Sequence, residues 1–315
     1  MTTTILPIWD DRRGVVSLTH DDGGPGQWDH GLKVLHANGL VGTIFLIRNS
    51  VHSWSSDVLS ASSRKMHVPQ MLCARDMGHE IASHTYSHDY RLDTLDQAGI
   101  IAECLGNKNY FTSWGVPCES IAYPGGDTNQ LVLDTMPACG MRYGRTVGTP
   151  TLHTMDFADL DKYNVPTTSS GVSQEIVEQA IAERKWCIKV FHIISDASST
   201  TPAAYAAFAE WLATKVASKD LWVGTFSQVM RYMEQRHTAT VIESNPTADR
   251  LRVTVTVTGD NAFMVPMTLK TDVSGRGELL AVTQSGMDIP YRIEGDFAIY
   301  DVYPNAGGAD AVFFS

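Results

Sequence analysis

The hydrophobic pattern of this chain changes its period once, and that change limits the possible folds more than any other feature. Up to about residue 235, short apolar runs alternate with stretches of helical period. βα units around a parallel sheet read this way, because strands covered on both faces lose the polar alternation that half-exposed sheets keep. Gly14-Val15-Val16-Ser17-Leu18-Thr19 reads as the first strand and runs into a polar turn from His20 to Gly26. A helix is expected from about Gln27 to Ala37, closed by Asn38-Gly39. Further strands are expected at Val41 to Ile47, Glu80 to Ala82, Ser120 to Tyr123, Cys187 to Ile193 and Trp222 to Phe226. An Asp127-capped helix over Asn129 to Met136 and an amphipathic helix over Ala203 to Ala217 complete the pattern. From about Thr238 the texture differs. Leu251 to Thr258 alternates strictly between apolar and polar, as a half-buried antiparallel strand does. Phe263, Val265, Met267 and Leu269 continue that alternation beyond a Gly259-Asp260-Asn261 turn. More strands are expected around Leu279 to Thr283, Tyr291 to Ile293, Phe297 to Val302 and Ala311 to Phe314. The chain thus reads as an α/β domain over residues 1–236 and a small all-β, sandwich-like domain over 237–315, within a length of 315 residues that suits two domains.

Hydrophobic residues make up 43% and charged residues 19%, a balance that fills globular cores and argues against long disorder. The formal net charge is -11. Nucleic acid and anionic membranes are therefore disfavoured as partners, since both are held by clustered Lys and Arg. A neutral substrate such as an uncharged glycan suits this surface better. The five cysteines, Cys73, Cys104, Cys118, Cys139 and Cys187, are odd in number and form no CxxC pair, so neither a disulfide framework nor a cysteine zinc site is expected. No 18-residue apolar run is present, so no membrane span is expected. Met1 to Asp10 has neither a basic start nor an apolar stretch. No signal peptide is expected there, and a cytoplasmic location is the default, with an extracellular one open if a leader lies outside this sequence.

The strongest chemical signal is Gly78-His79-Glu80-Ile81-Ala82-Ser83-His84-Thr85-Tyr86-Ser87-His88. His84 and His88 are four apart, a spacing that on a helical turn aims both imidazoles at one ion. Two packed or surface histidines are the plain alternative, and His79 keeps that reading. Asp21-Asp22 raises the odds. Adjacent acids repel, and they stay together more readily beside a cation or a hydrogen-bond network. One can hold an ion while the other remains free as a general base; a solvated turn with a capping Asp is the alternative. An Asp with two His and open positions suits a hydrolytic metal site. Downstream, Tyr123-Pro124-Gly125-Gly126-Asp127 ends a strand, and its glycines allow a backbone N–H to approach a substrate oxygen. His192 follows the apolar Val190-Phe191, at the strand end where parallel βα folds carry their sites. An ordinary βα turn and a core histidine are the respective alternatives.

Thr19-His20-Asp21-Asp22-Gly23, His84-Thr85-Tyr86-Ser87-His88, Tyr123-Pro124-Gly125-Gly126 and Phe191-His192, in that order, resemble the motifs of the polysaccharide deacetylase family, the NodB-homology group or carbohydrate esterase family 4. The resemblance spans roughly residues 10 to 230. It implies a distorted (β/α) barrel of about seven repeats. It also implies Asp21 as catalytic base, His192 as general acid, and Asp22, His84 and His88 as ligands of a divalent metal. Zinc is the first choice, with cobalt, nickel or manganese also suited to such donors. Tyr123, Gly125 and Arg145 are expected on the substrate side, with a backbone N–H near Gly125 holding the oxyanion. The implied activity is removal of acetyl groups from an acetylated glycan, on nitrogen or oxygen. Four departures mark a variant branch. His20 replaces a usual Phe, Ala122 a common Arg that holds the catalytic Asp, and Gly125 a usual Tyr or Phe, while no Asp-Trp motif is evident in residues 140–170. Arg145, in Tyr143-Gly144-Arg145-Thr146, is expected to supply the missing guanidinium; a surface arginine is the alternative. Two other functions stay open: a related amide or imide hydrolase, and a silent carbohydrate-binding protein. Retention of Asp22, His84 and His88 speaks against the first, and retention of Asp21 and His192 against the second. In the β domain, Tyr291 and Tyr300 read as core residues rather than a sugar platform.

Overall fold

A computed structural model of the chain describes residues 3–24, 26–51, 65–88, 91–149, 151–259 and 263–313. Pro25, Asp260, Asn261 and Phe314, which the sequence places in turns and a last strand, lie outside the described residues. The chain divides into two compact units, Arg13–Thr154 with Asp159–Val229, and Met1–Arg12 with Met155–Ala158 and Met230–Ser315. The first residues therefore fall in the second unit, although the sequence reading counts them with the first. The cause is β1 (Thr3–Ile5), which pairs antiparallel with the strand Met267–Asp272.

The larger unit is built on β2 (Gly14–Asp21), β3 (Thr43–Leu46), β4 (Glu80–Ser83), β5 (Ser120–Ala122), β6 (Tyr143–Thr146), β7 (Val165–Pro166), β8 (Ser169–Ser170), β9 (Trp186–Phe191) and β10 (Leu221–Val223). Every ladder among them is parallel. The order is β7-β6-β5-β4-β3-β2-β9-β8, with β10 on β2. β7 lies on β6, β8 lies on β9, and only Thr167 and Thr168 separate β7 from β8. One short crossing segment thus closes the sheet into a barrel of seven strand positions. The distortion comes from β2. Val15 and Val16 pair with both β9 and β10, and Thr19 and His20 with both β9 and β3, so β10 and β3 share one edge of β2.

All eight residues of β2 are buried, which explains its unbroken apolar reading. Val16 and Leu18 pack in one cluster with Leu35 of α1 (Lys33–Ala37), Val177 and Ala180 of α5 (Glu175–Glu183), and Tyr205 and Phe208 of α6 (Pro202–Ala217). The alternate residues Ser17 and Thr19 donate their hydroxyls to the carbonyls of Gly224 and Lys189. The other helices are α2 (Val68–Asp76), α3 (Gln97–Ser113), α4 (Gln130–Thr135) and α7 (Phe226–Thr238). Two local expectations need correction. The helix expected over Gln27 to Ala37 starts as a wider π-turn over Gln27–Leu32 before α1. The cap of α4 is Asn129, whose side chain accepts from Val132 N–H, and not Asp127.

The smaller unit is antiparallel throughout. Its strands after β1 are β11 (Thr240–Thr247), β12 (Arg250–Thr256), β13 (Met267–Asp272), β14 (Leu279–Gln284), β15 (Met287–Asp288), β16 (Tyr291–Glu294), β17 (Phe297–Val302) and β18 (Ala309–Phe313). They form two sheets, β1-β13-β17-β16 and β11-β12-β18-β14-β15. Leu251, Val253, Val255 and Val257 are buried, as their alternation requires, and so is Tyr300, whereas Tyr291 is exposed. Among the described residues no helix is long and apolar enough to cross a membrane.

Candidate active site

The chemistry-bearing residues gather at the C-terminal ends of the barrel strands, where Asp21 is the last residue of β2. Its carboxylate is buried at 3% exposure and receives a hydrogen bond at Oδ2 from Arg145 Nη2. Arg145 is itself buried and lies with its guanidinium carbon 5.1 Å from the centre of the Phe45 ring. The β5–β6 register places Arg145 directly beside Ala122. A guanidinium thus reaches Asp21 from the strand neighbouring position 122. Burial alone would raise the Asp21 pKa. The Arg145 charge, with smaller contributions from His84 and His192, outweighs it and holds the carboxyl below its ordinary value. Asp21 Oδ1 is buried and has no hydrogen-bond partner among the described residues, which leaves one oxygen able to take a proton.

Asp22 turns away from its neighbour because its backbone is left-handed, with φ 76°. This aims it at His84 and His88. Asp22 Oδ1 lies 3.5 Å from His84 Nε2 and 3.7 Å from His88 Nε2. Spacings of that size are what donors about 2.1 Å from a shared ion would show. One ligand atom from each of the three residues lies within 4.8 Å of the others. The hydrogen bonding also fits a metal. His84 Nδ1 lies 2.7 Å from the Ala122 carbonyl, which can only accept, so Nδ1 carries the hydrogen and the Nε2 lone pair faces Asp22. Burial pushes the His84 pKa down, favouring the neutral form that ligation needs.

The helical explanation of the His84–His88 spacing is wrong. The segment after β4 is a loop in which Thr85 has φ 65° and His88 φ 57°. A β-branched residue in that region is unusual and must be held there. Thr85 N–H donates to Ser83 Oγ, Thr85 Oγ1 accepts from His88 N–H, and the Thr85 carbonyl accepts from Asn107 Nδ2 at 2.7 Å. Asn107 also donates to the Leu46 carbonyl and contacts Ser83 Oγ, both at 2.9 Å. This fully buried amide from α3 was not singled out from the sequence. Its signal was available: it is the polar member of the buried stripe Ile100, Cys104, Asn107, Phe111. Gln27 was passed over as an ordinary helix start. It too is fully buried and bonds the carbonyls of Asp21 and His192.

The other expected residues are placed unevenly. His192 follows β9 with its side chain 58% exposed and Nε2 3.8 Å from Asp21 Oδ2, which puts an open imidazole beside the buried carboxylate. Gly125 lies in the turn Pro124–Gly126 with φ 66°, a conformation in which the Tyr or Phe of the family pattern would be strained. Tyr123 does not present its side chain to the site. The ring belongs to the barrel's apolar core, the hydroxyl donates to the Tyr163 carbonyl, and the N–H donates to the Arg145 carbonyl. His20, at the family's Phe position, is also structural. Its Nδ1 faces the Thr43 carbonyl at 3.2 Å, its Nε2 faces Tyr205 Oη at 2.8 Å, and its ring stacks on Phe191.

Two aspartates and three histidines thus converge at one end of the parallel barrel. Residues 10–144 match the family model described as polysaccharide deacetylase. A gellan lyase from a Bacillus species is 24% identical over 320 residues, covering 91% of this chain and 12% of that protein. A probable peptidoglycan-N-acetylglucosamine deacetylase from Arthroderma benhamiae is 37% identical over 106 residues, covering 32% of this chain and 22% of that protein. The chain thus spans less than a quarter of the length of these curated relatives. A family 4 carbohydrate esterase from Streptomyces lividans, solved in complex with acetate, is similar over 67% of this chain and 92% of its own, at 21% identity and a TM-score of 0.43.

Proposed function

We propose that this chain removes acetyl groups from an acetylated carbohydrate, releasing acetate. The observation that carries this reading is the juxtaposition of Asp21, held by Arg145 with Oδ1 unpartnered among the described residues, with the Asp22–His84–His88 cluster and the open ring of His192. Asp22 Oδ1, His84 Nε2 and His88 Nε2 are the atoms that would hold a divalent ion, with zinc the first choice and cobalt, nickel or manganese alternatives. When bound, such an ion supplies Lewis acidity towards the acetyl carbonyl and towards water. Asp21 accepts a proton at Oδ1 as water attacks the acetyl carbon, and Arg145 keeps that carboxyl ionised until then. A backbone N–H of the Pro124–Gly126 turn stabilises the oxyanion. His192, protonated, gives a proton to the leaving oxygen or nitrogen as the C–O or C–N bond breaks, so that acetate and a free hydroxyl or amine result.

The test is acetate release from N-acetylglucosamine oligomers, peptidoglycan and acetylxylan, with metal supplied, with a chelator, and with Asp21→Asn. Release from at least one substrate, abolished by chelator and by the substitution, is expected. No release from any of them with metal present would overturn the reading.

A further inference from the structure

The β2–β9 ladder has its last registered pair at His20 and Phe191. Each strand then continues by one residue into a group with a proposed chemical role, Asp21 on one side and His192 on the other. Their main-chain carbonyls converge there, and two acceptors cannot bond each other. Gln27 fills the gap. Its Nε2 lies 2.5 Å from the Asp21 carbonyl and 2.6 Å from the His192 carbonyl, so the two hydrogens of one amide satisfy both. The side chain acts as one more rung, supplied from outside the ladder. The local backbone is shaped to allow it. Gly26 has φ 78°, and a Cβ on it would overlap the Ile194 carbonyl oxygen, so the turn packs tightly against the segment after His192.

We propose that Gln27 is a positioning residue that fixes the separation of Asp21 and His192, Oδ2 to Nε2 3.8 Å, and thereby aligns the proton donor with the leaving group. This rests on the function proposed above. An amide tying two carbonyls does little for a fold that already has the rest of the ladder. It matters where a shift of about 1 Å in a catalytic group costs up to a hundredfold in rate. The two bonds go to Asp21 and His192 and not to Asp22, His84 or His88, so metal affinity should not depend on them.

The experiment compares substrates that do and do not need a proton donor. Gln27→Met keeps the length of the side chain and removes both donors; Gln27→Glu is isosteric and sets a carboxylate against the two carbonyls. A sugar amine or alcohol leaves only when protonated, whereas 4-nitrophenolate leaves unaided. On the acetylated glycan the wild type turns over, kcat of either variant should fall tenfold to a hundredfold, roughly, with KM little changed. On 4-nitrophenyl acetate the fall should be at most about twofold, since that leaving group bypasses His192. The ratio of the two losses does not depend on the folded fraction, so a poorly folding variant still gives an answer. Zinc titration of the metal-free variants should match wild type. Equal losses on both substrates, no loss on either, or weakened zinc binding would each overturn the inference. Asp21→Asn run alongside separates the failures: if it retains full acetate release, the functional reading fails rather than the role of Gln27.

Discussion

In the antiparallel unit, Arg252 and Asp310 face each other across the β12–β18 ladder and meet through two parallel hydrogen bonds, Nε to Oδ1 at 2.7 Å and Nη2 to Oδ2 at 2.8 Å. In the barrel, Arg145 reaches one oxygen of Asp21 and leaves the other bare, and its own Nε has no partner among the described residues. The first pair is near the surface and complete; the second is buried and incomplete. Buried polar atoms without partners cost free energy, and proteins keep few of them. The contrast teaches where to look for chemistry: a fully matched ion pair has nothing left to offer a substrate, while a buried, half-matched one does.

Substitutions can break or sharpen that contrast. The largest effect is expected for Asp21→Asn, which removes the proton acceptor and should lower acetate release about 10²- to 10⁴-fold, measured with metal at saturation. Next is Arg145→Met, which leaves the Asp21 charge buried and unpaired. Urea unfolding should show a loss of about 3–5 kcal/mol, together with loss of turnover. Full turnover in that variant would show that the guanidinium is not what holds Asp21. Third, Asn107→Ala frees the left-handed loop at Thr85. Zinc affinity of the metal-free protein, followed by calorimetry, should weaken about tenfold or more, the range usual for groups that orient metal ligands.

A smaller effect concerns His79, which accepts from Gly42 N–H at Nδ1 and whose pKa is lowered to about 4, chiefly by burial and further by His36. Its folded pKa lies below the unfolded value of 6.5, so its stabilising contribution is complete above pH 6.5 and is lost as pH falls towards 4. The wild type should lose about 3 kcal/mol more than His79→Gln across that interval, compared by urea unfolding of the metal-free proteins at each pH. The smallest effect belongs to the other side of the contrast. Arg252→Ala should leave stability and acetate release close to wild type, because exposed ion pairs contribute little.

Much of this was legible in the sequence, for identifiable reasons. Period and burial marked β2, β9 and the alternating β12, since covered strands and half-covered strands carry different patterns. The clustering of Asp22 with His84 and His88 followed from motif order. Arg145 could be nominated because the vacancy at Ala122 was visible. What was not legible depends on contacts between residues far apart in sequence. The N-terminal strand pairs with β13, more than 260 residues away, and three residues carry no periodicity to reveal it. The loop at Thr85 takes its left-handed turn because Asn107 holds it, so the His84–His88 spacing had a cause other than helix geometry. Tyr123 looked available because its motif faces the site, yet its ring is part of the core.

The long reach of β2 has a kinetic consequence. This strand carries Asp21, but one of its edges needs β9 and part of the other needs β10; Ser17 and Gly224, bonded to each other, are 207 residues apart. Contacts of such separation form late, after the entropy of closing a long loop has been overcome. On the ribosome β2 emerges before β9 and β10 and must wait, apolar and incompletely paired, until residues beyond 220 have been made. Refolding from denaturant should therefore show acetate-releasing activity returning in the slowest phase, well behind the helical signal, with the exposed β2 the point at which chaperones or aggregation intervene.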